Sequence, residues 1–254
     1  MATSITLVGG PTALIEVDGL TVLTDPTFDA PGEYPIPGGV LVKTAGPAIA
    51  AADLPAIDLV TLSHAHHPDN LDASGADVVA TAAKVVGTPM AQSQIATVIA
   101  LEPWASTTVS ASNGREFVVT AVPARHGPVG CEEITGDVSG FVLESAGSPT
   151  IYISGDNAAV ELVDAVAERF ANIDIAVLFT GAARVGLFDN APLTLTADMA
   201  AEVAGKLPHA KVFPVHSEGW AHFSEDREPL EGAFARAGLS DRLFVARPGE
   251  RVLF

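Results

Sequence analysis

Residues 62–72 read Leu-Ser-His-Ala-His-His-Pro-Asp-Asn-Leu-Asp and follow directly on the apolar run Ile57-Asp-Leu-Val-Thr. A short run of this kind, rich in leucine and β-branched residues, predicts a buried strand. Three histidines and two aspartates packed immediately beyond it are poor packing material, because buried imidazoles and carboxylates need partners. The same arrangement recurs three times: FVVTAVPAR runs into His126, TIYISG into Asp156 and KVFPV into His216. A buried strand fixes its last residue tightly, so polar side chains set at several strand ends can converge on one point at a sheet edge. Imidazole nitrogen with carboxylate oxygen is the donor set of zinc and similar cations.

Outward from that stretch the chain predicts an α/β organisation. Upstream, ITLVGG, TALIEVDG and LTVLTDPTF are short strands punctuated by Gly and Asp-Gly, as in an antiparallel meander. Residues 29–47 (DAPGEYPIPGGVLVKTAGP) are rich in helix breakers and predict an irregular surface loop, either a plain connection or a cover for a site. Downstream, strands alternate with helices expected over 73–85, 158–170, 197–207 and 229–237. Thr196 is the expected N-cap of the third, and Asp156-Asn157 precede the helical spacing of the second. No solenoid-period repeat and no linker divides the 254 residues, which are expected to form a single domain spanning 1–254.

Composition narrows the function classes. The formal charge of −18 disfavours nucleic-acid binding, which relies on Lys and Arg to displace counterions. The single cysteine, Cys131, cannot form an intrachain disulfide, and MATSITLVGG lacks the basic and apolar blocks of a secretion signal. No run approaches bilayer length, so a cytoplasmic protein without a membrane anchor is expected, with homo-oligomerisation left open.

The motifs HAHHPDNLD (64–72), VPARHGP with His126, ISGD with Asp156 and PVHSEGWAHF with His216 resemble, in order, the ligand motifs of the metallo-β-lactamase superfamily. The opening ITLVGGPTALIEVDGLTVLTDPTF is similar to the branch holding ascorbate-6-phosphate lactonases and N-acylphosphatidylethanolamine phospholipase D. The resemblance implies a four-layer αββα sandwich, two mixed β-sheets flanked by helices, with metals at one edge. It also implies metal-dependent hydrolysis of an ester, lactone or phosphodiester bond by a metal-activated water. The cofactor would be one or two divalent ions, zinc first, with manganese or iron as alternatives, and the substrate a small molecule.

The loop departs from the family pattern His-x-His-x-Asp-His. Anchored on His64, the pattern puts Pro68, which has no side-chain donor, in the place of the metal-binding Asp. Anchored on Asp69, His67-Pro-Asp69-Asn70 matches His-x-Asp-His, with Asn70 in place of the last His and one extra residue in the loop. The second register is preferred: His64, His67, Asp69, His126, Asp156 and His216 become ligands. His66 is a further donor, or faces the substrate from behind the ligands. Asp69 would also orient the attacking water. Asn70, a weaker donor than imidazole, predicts one tight and one loose metal, or a metal that prefers oxygen.

Asp25 either braces the metal loop or makes an ordinary Asp-Pro turn. His222, Arg125 and Arg184 are candidate substrate contacts, the alternatives being a structural hydrogen bond for the histidine and pairing with a structural acid for each arginine. Trp104 and Trp220 read as core or pocket wall, and His209 has no assigned role. Two rival readings remain: a metal-binding or sensing protein without turnover, and an iron-dependent redox protein of the same fold.

Overall fold

The computed structural model describes residues 3–37 and 39–254. Strands β1 (Ser4–Gly9), β2 (Thr12–Val17) and β3 (Leu20–Thr24) form the expected antiparallel meander. Asp18 and Gly19 join β2 to β3 at φ 44° and 90°, the positive values that a two-residue hairpin turn requires.

Residues 29–47 depart from the irregular loop expected of them, because they contain a hairpin of β4 (Gly32–Ile36) and β5 (Gly39–Lys43). In β5 Val40 and Val42 face solvent while Leu41 and Lys43 are buried, the period-2 alternation of a half-covered strand. A two-stranded ribbon has a free edge on each strand, where a proline such as Pro35 removes no ladder bond.

The chain then makes β6 (Leu59–Leu62), α1 (Ala73–Thr81), β7 (Val85–Gly87), α2 (Pro89–Gln94) and β8 (Ile99–Ala100). The helix expected over 73–85 therefore stops at Thr81, because Val85 and Val86 pair in parallel with β6. Next come β9 (Ser106–Ser110), β10 (Glu116–Pro123), α3 (Glu132–Thr135), β11 (Ser139–Glu144), β12 (Ile151–Ile153) and α4 (Leu162–Arg169). Helix α4 starts later than expected: Asn157 Oδ1 accepts from Ala159 N and Arg125 N, both at 3.0 Å, and holds the intervening chain in a turn. Then follow β13 (Ile175–Phe179), α5 (Ala197–Lys206), β14 (Lys211–Val215), α6 (Arg227–Ala237) and β15 (Arg251–Leu253). Thr196 caps α5 by accepting from Met199 N.

The first sheet has the order β15-β1-β2-β3-β6-β7-β8 and the second β14-β13-β12-β11-β10-β9. Both are mixed: β3, β6, β7 and β8 run parallel in one, and β12, β13 and β14 in the other. The sheets pack face to face through Ile5, Ile15, Val22 and Leu59 against Phe117, Phe141, Val177 and Phe213. On the outer faces, Val78 and Val79 of α1 cover Leu23, Val60 and Leu62, while Val166 of α4, Val203 of α5 and Phe234 of α6 cover Tyr152, Leu178 and Val212. The result is the αββα sandwich. Alternate residues of β3, β6 and β13 enter different layers, which is why these strands read as continuous apolar runs. Among the described residues no helix is long and apolar enough to cross a membrane.

Candidate metal centre

Parallel strands end together, so whatever follows them in sequence meets in space. Asp25 follows β3, Ser63 and His64 follow β6, Asp156 lies just beyond β12, and His216 follows β14. His126 arrives from the end of β10. His216 sits at φ 61°, a left-handed conformation that costs energy for a non-glycine residue. Its N–H donates to Gly10 O at 2.7 Å, which fixes the turn that aims the imidazole inward.

Two groups of donor atoms lie side by side. Nε2 of His64 and Nε2 of His126 are 3.9 and 3.7 Å from Asp156 Oδ2, and His64 Nε2 faces His67 Nδ1 at 2.9 Å. On the other side His216 Nε2 is 3.4 Å from both Asp156 Oδ1 and Asp69 Oδ2. Asp156 thus turns one oxygen to each group. The trios His64, His126, Asp156 and Asp69, Asp156, His216 each bring one donor atom per residue to within 4.8 Å of the others, and every residue in both is buried.

A backbone carbonyl fixes which nitrogen of the His126 ring carries the lone pair: Leu193 O accepts from His126 Nδ1 at 2.8 Å, leaving Nε2 aimed at the cluster unprotonated. Ser63 Oγ lies 2.9 Å from His64 Nδ1 and holds that ring in place. Asp25 is buried and accepts from Ser63 N at 2.7 Å, so it braces the first residue of the loop. Asn70 Nδ2 donates to Asp156 Oδ1 at 3.2 Å.

His66 stands behind His64 and His67, its Nε2 2.6 Å from Thr135 O, which leaves Nδ1 buried with no partner. His222 Nε2 is 3.0 Å from Asp69 Oδ2. Arg125 reaches the neighbourhood only with its backbone: its guanidinium pairs with Glu161 at 2.5 Å and donates to Gly127 O. Arg184, half-buried, donates to Asn190 O. Neither arginine lines the cavity above the cluster, and for Arg125 the partner is a structural acid.

Burial holds the His64 imidazole well below the usual histidine range and lowers His67 to about 4 and His126 to about 3, so these rings are neutral donors at neutral pH. Burial alone would raise Asp69, but His216 and His222 beside it hold the carboxyl well below its ordinary value. Burial lifts Asp156, against the pull of His216. Asp156 Oδ2, His216 Nε2 and Asn70 Oδ1 are buried without a hydrogen-bond partner. Buried polar atoms left without partners beside the neutral rings of His64, His67 and His126 are costly, and a cation held between them would satisfy them. The donor set of nitrogen and carboxylate oxygen fits a divalent metal of the zinc type.

A cavity of 260 Å³ opens over the cluster, with His66, His67, Asp69, His126 and His222 on its floor. Its walls come from residues to which no sequence reading assigned a role: Ile36, Pro37 and Leu41 of the hairpin, Ile134 and Thr135 of α3, and Ala183, Val185, Leu187 and Leu193 after β13. The available signal for the hairpin residues was the alternation in Gly39–Lys43; the others carry none, because the folding of distant loops selects them.

Comparison with known proteins agrees with this geometry. Residues 21–217 match the model of the β-lactamase superfamily domain. The chain belongs to this superfamily. A UPF0173 metal-dependent hydrolase of Pyrococcus furiosus is 28% identical over 202 residues, covering 78% of this chain and 82% of that one. The solved structure of a possible metal-dependent hydrolase from Veillonella parvula superposes with a TM-score of 0.84 at 18% identity, covering 100% of both chains. That of an isothiocyanate hydrolase from Delia radicum gut bacteria gives 0.83 at 21% identity, covering 99% and 98%. Within the superfamily, metal-dependent hydrolase is the class of this chain.

Proposed function

We propose that this hydrolase cleaves an ester-type bond, in a carboxylic ester, a lactone or a phosphodiester, using one or two divalent cations, zinc first among them. His64, His67, His126 and Asp156 would hold one ion, and Asp69, Asp156 and His216 the second. The observation that carries this reading is the Asp156 carboxylate, whose two oxygens face the two groups at 3.4–3.9 Å. A divalent cation bound there supplies Lewis acidity and lowers the pKa of water towards neutrality.

The chain does the rest. Asp69, kept ionised, accepts a hydrogen bond from the attacking water and orients it, while His222 Nε2–H donates to Asp69 Oδ2 and holds that carboxylate still. Asp25, Ser63 and the Leu193 carbonyl keep the ligand rings in place. Asn70, turned to Asp156 where an imidazole donor would suit the second ion, makes that site the weaker. Binding without turnover and iron-based redox chemistry are less supported, because the relatives from Pyrococcus furiosus and Pyrococcus horikoshii are hydrolases by name. The buried lone Cys131 suits a reducing cytoplasm.

Asp156→Ala and His216→Ala test the reading. Both variants should lose bound metal by elemental analysis and lose hydrolysis of nitrophenyl esters and diesters, with circular dichroism confirming the fold. Full activity in either would refute the assignment. Retention of two tightly held equivalents of metal through dialysis of the wild type would refute the unequal sites.

A further inference from the structure

Apart from Thr135, whose hydroxyl donates to Cys131 O, the cavity above the cluster is polar only at its floor. Above the histidines and Asp69 its walls are Leu41, Ile134, Val185, Leu187 and Leu193, side chains brought from β5, α3 and the segment after β13. None of the 13 lysines and arginines of the chain lines it. The cations nearest to it in sequence are committed elsewhere: Lys43 to Asp72 at 2.8 Å, Arg125 to Glu161 and Arg184 to the Asn190 carbonyl. Sites that select phosphate place Arg or Lys where the non-bridging oxygens sit. The positive charge that would meet a phosphate here is that of the ions held at the floor alone, with the Asp69 carboxylate beside them and no side-chain cation to add to it.

The rim adds a second observation. Ile134 is 60% and Leu187 41% exposed, although both line the cavity. Large apolar side chains left in water around a polar floor mark a surface that a bound molecule covers. A volume of 260 Å³ admits a small molecule and not a folded segment of another chain.

We propose that, within the ester-type bonds assigned above, this cavity selects an uncharged carboxylic ester or lactone bearing an apolar arm of a few carbons, and discriminates against phosphate esters. The inference rests on the hydrolase reading. The acyl C–O bond breaks, the water oxygen bonds to the acyl carbon, one water proton goes to the departing alkoxide and the other to solvent. The apolar arm lies between Leu41, Ile134 and Leu187. The opening stretch of sequence resembles phosphate-handling branches, but a resemblance of fold does not transfer phosphate recognition when no Arg or Lys lines the cavity.

Two measurements on metal-loaded protein test the proposal separately from turnover. Calorimetric binding of acetohydroxamic, butanohydroxamic and hexanohydroxamic acids should tighten by about three- to fourfold per methylene over the first few carbons, the value of burying a CH₂. Ile134→Lys should weaken hexanohydroxamate by about tenfold and leave acetohydroxamate unchanged, since only the longer arm reaches the rim. In the second measurement, nitrophenyl hexanoate should be hydrolysed with a higher kcat/KM than nitrophenyl acetate and than bis(nitrophenyl) phosphate.

Affinity that does not vary with chain length, or preference for the phosphate diester, overturns the apolar substrate while leaving hydrolysis standing. A chain-length gain with no hydrolysis of any of the three overturns the hydrolase reading and leaves the apolar selectivity of the cavity standing.

Discussion

Replacing Asp72 with alanine removes the side chain that ties the metal loop to the rest of the sandwich. Asp72 Oδ1 accepts from Phe28 N and Gly75 N, and Oδ2 accepts from Asp29 N and Lys43 Nζ, each at 2.8 Å. The two charged side chains are 3% and 0% exposed, for Lys43 and Asp72 respectively. Alanine strands the Lys43 ammonium in the interior, which costs about 3–5 kcal/mol for a broken buried pair. It also deletes the N-cap of α1, a further cost of about 1 kcal/mol. The expected loss is therefore about 4–6 kcal/mol, a large part of the stability of a domain, and a fall in Tm of about 10–20 °C at this chain length.

Lys43→Met is the informative contrast. It leaves the carboxylate its three backbone N–H partners and puts an apolar chain of similar length beside Trp220, so the loss should be about 1–3 kcal/mol. Urea unfolding of metal-free protein, followed by circular dichroism at constant m, reads both values without linkage to metal binding. An Asp72→Ala variant within 1 kcal/mol of wild type, or a Lys43→Met variant that costs more than Asp72→Ala, would show that Asp72 is not the hub described here.

Two further predictions concern the turns and the buried rings. A Cβ on Gly181, at φ 96°, would meet His216 O at 2.3 Å, so Gly181→Ala should displace His216, lower metal content and destabilise the fold. Gly205→Ala, at an exposed position of α5 with nothing within 4 Å, should stabilise by about 1 kcal/mol; thermal melts and elemental analysis of the pair check both outcomes. The His126 ring has a folded pKa of about 3 against 6.5 unfolded, so it contributes stability that is present above pH 6.5 and lost as pH falls towards 3. The stability difference between metal-free wild type and His126→Gln should shrink by about 1.4 kcal/mol per pH unit below 6.5; a difference flat in pH refutes the buried neutral ring.

The legible part of this protein was the part written in local periodicity. The apolar runs ending at His64, Asp156 and His216 read as strands because both faces of β6, β12 and β14 are buried along nearly their whole length, and a doubly buried strand must be apolar throughout; β10, which leads to His126, alternates at its start and is buried on both faces only from Val119 to Val122. That the four runs end in donors was equally visible, since a metal site leaves polar residues where packing would choose otherwise. The hairpin at β4–β5 was hidden because three glycines and two prolines between Gly32 and Gly39 outweigh a single alternating run, and its burial comes from Trp220 and Asp72, far away in the chain. The early end of α1 was hidden for a similar reason: Val85 and Val86 suit either a helix or a strand, and pairing with β6 decides.

The sequence by itself determined the α/β order of elements, the strand ends and the kind of atom each end would offer, because these follow from periodicity, turn residues and donor chemistry within a few positions; the layers came only from the resemblance to the superfamily. Only the tertiary structure decided that Asp156 stands between two donor groups, that His222 holds Asp69, that Arg125 and Arg184 are engaged away from the cavity, and that Leu41, Ile134 and Leu187 meet above the floor. Those relations join residues from opposite ends of the chain, and the distance between them is set by how the two sheets pack, a quantity that no local run of residues encodes.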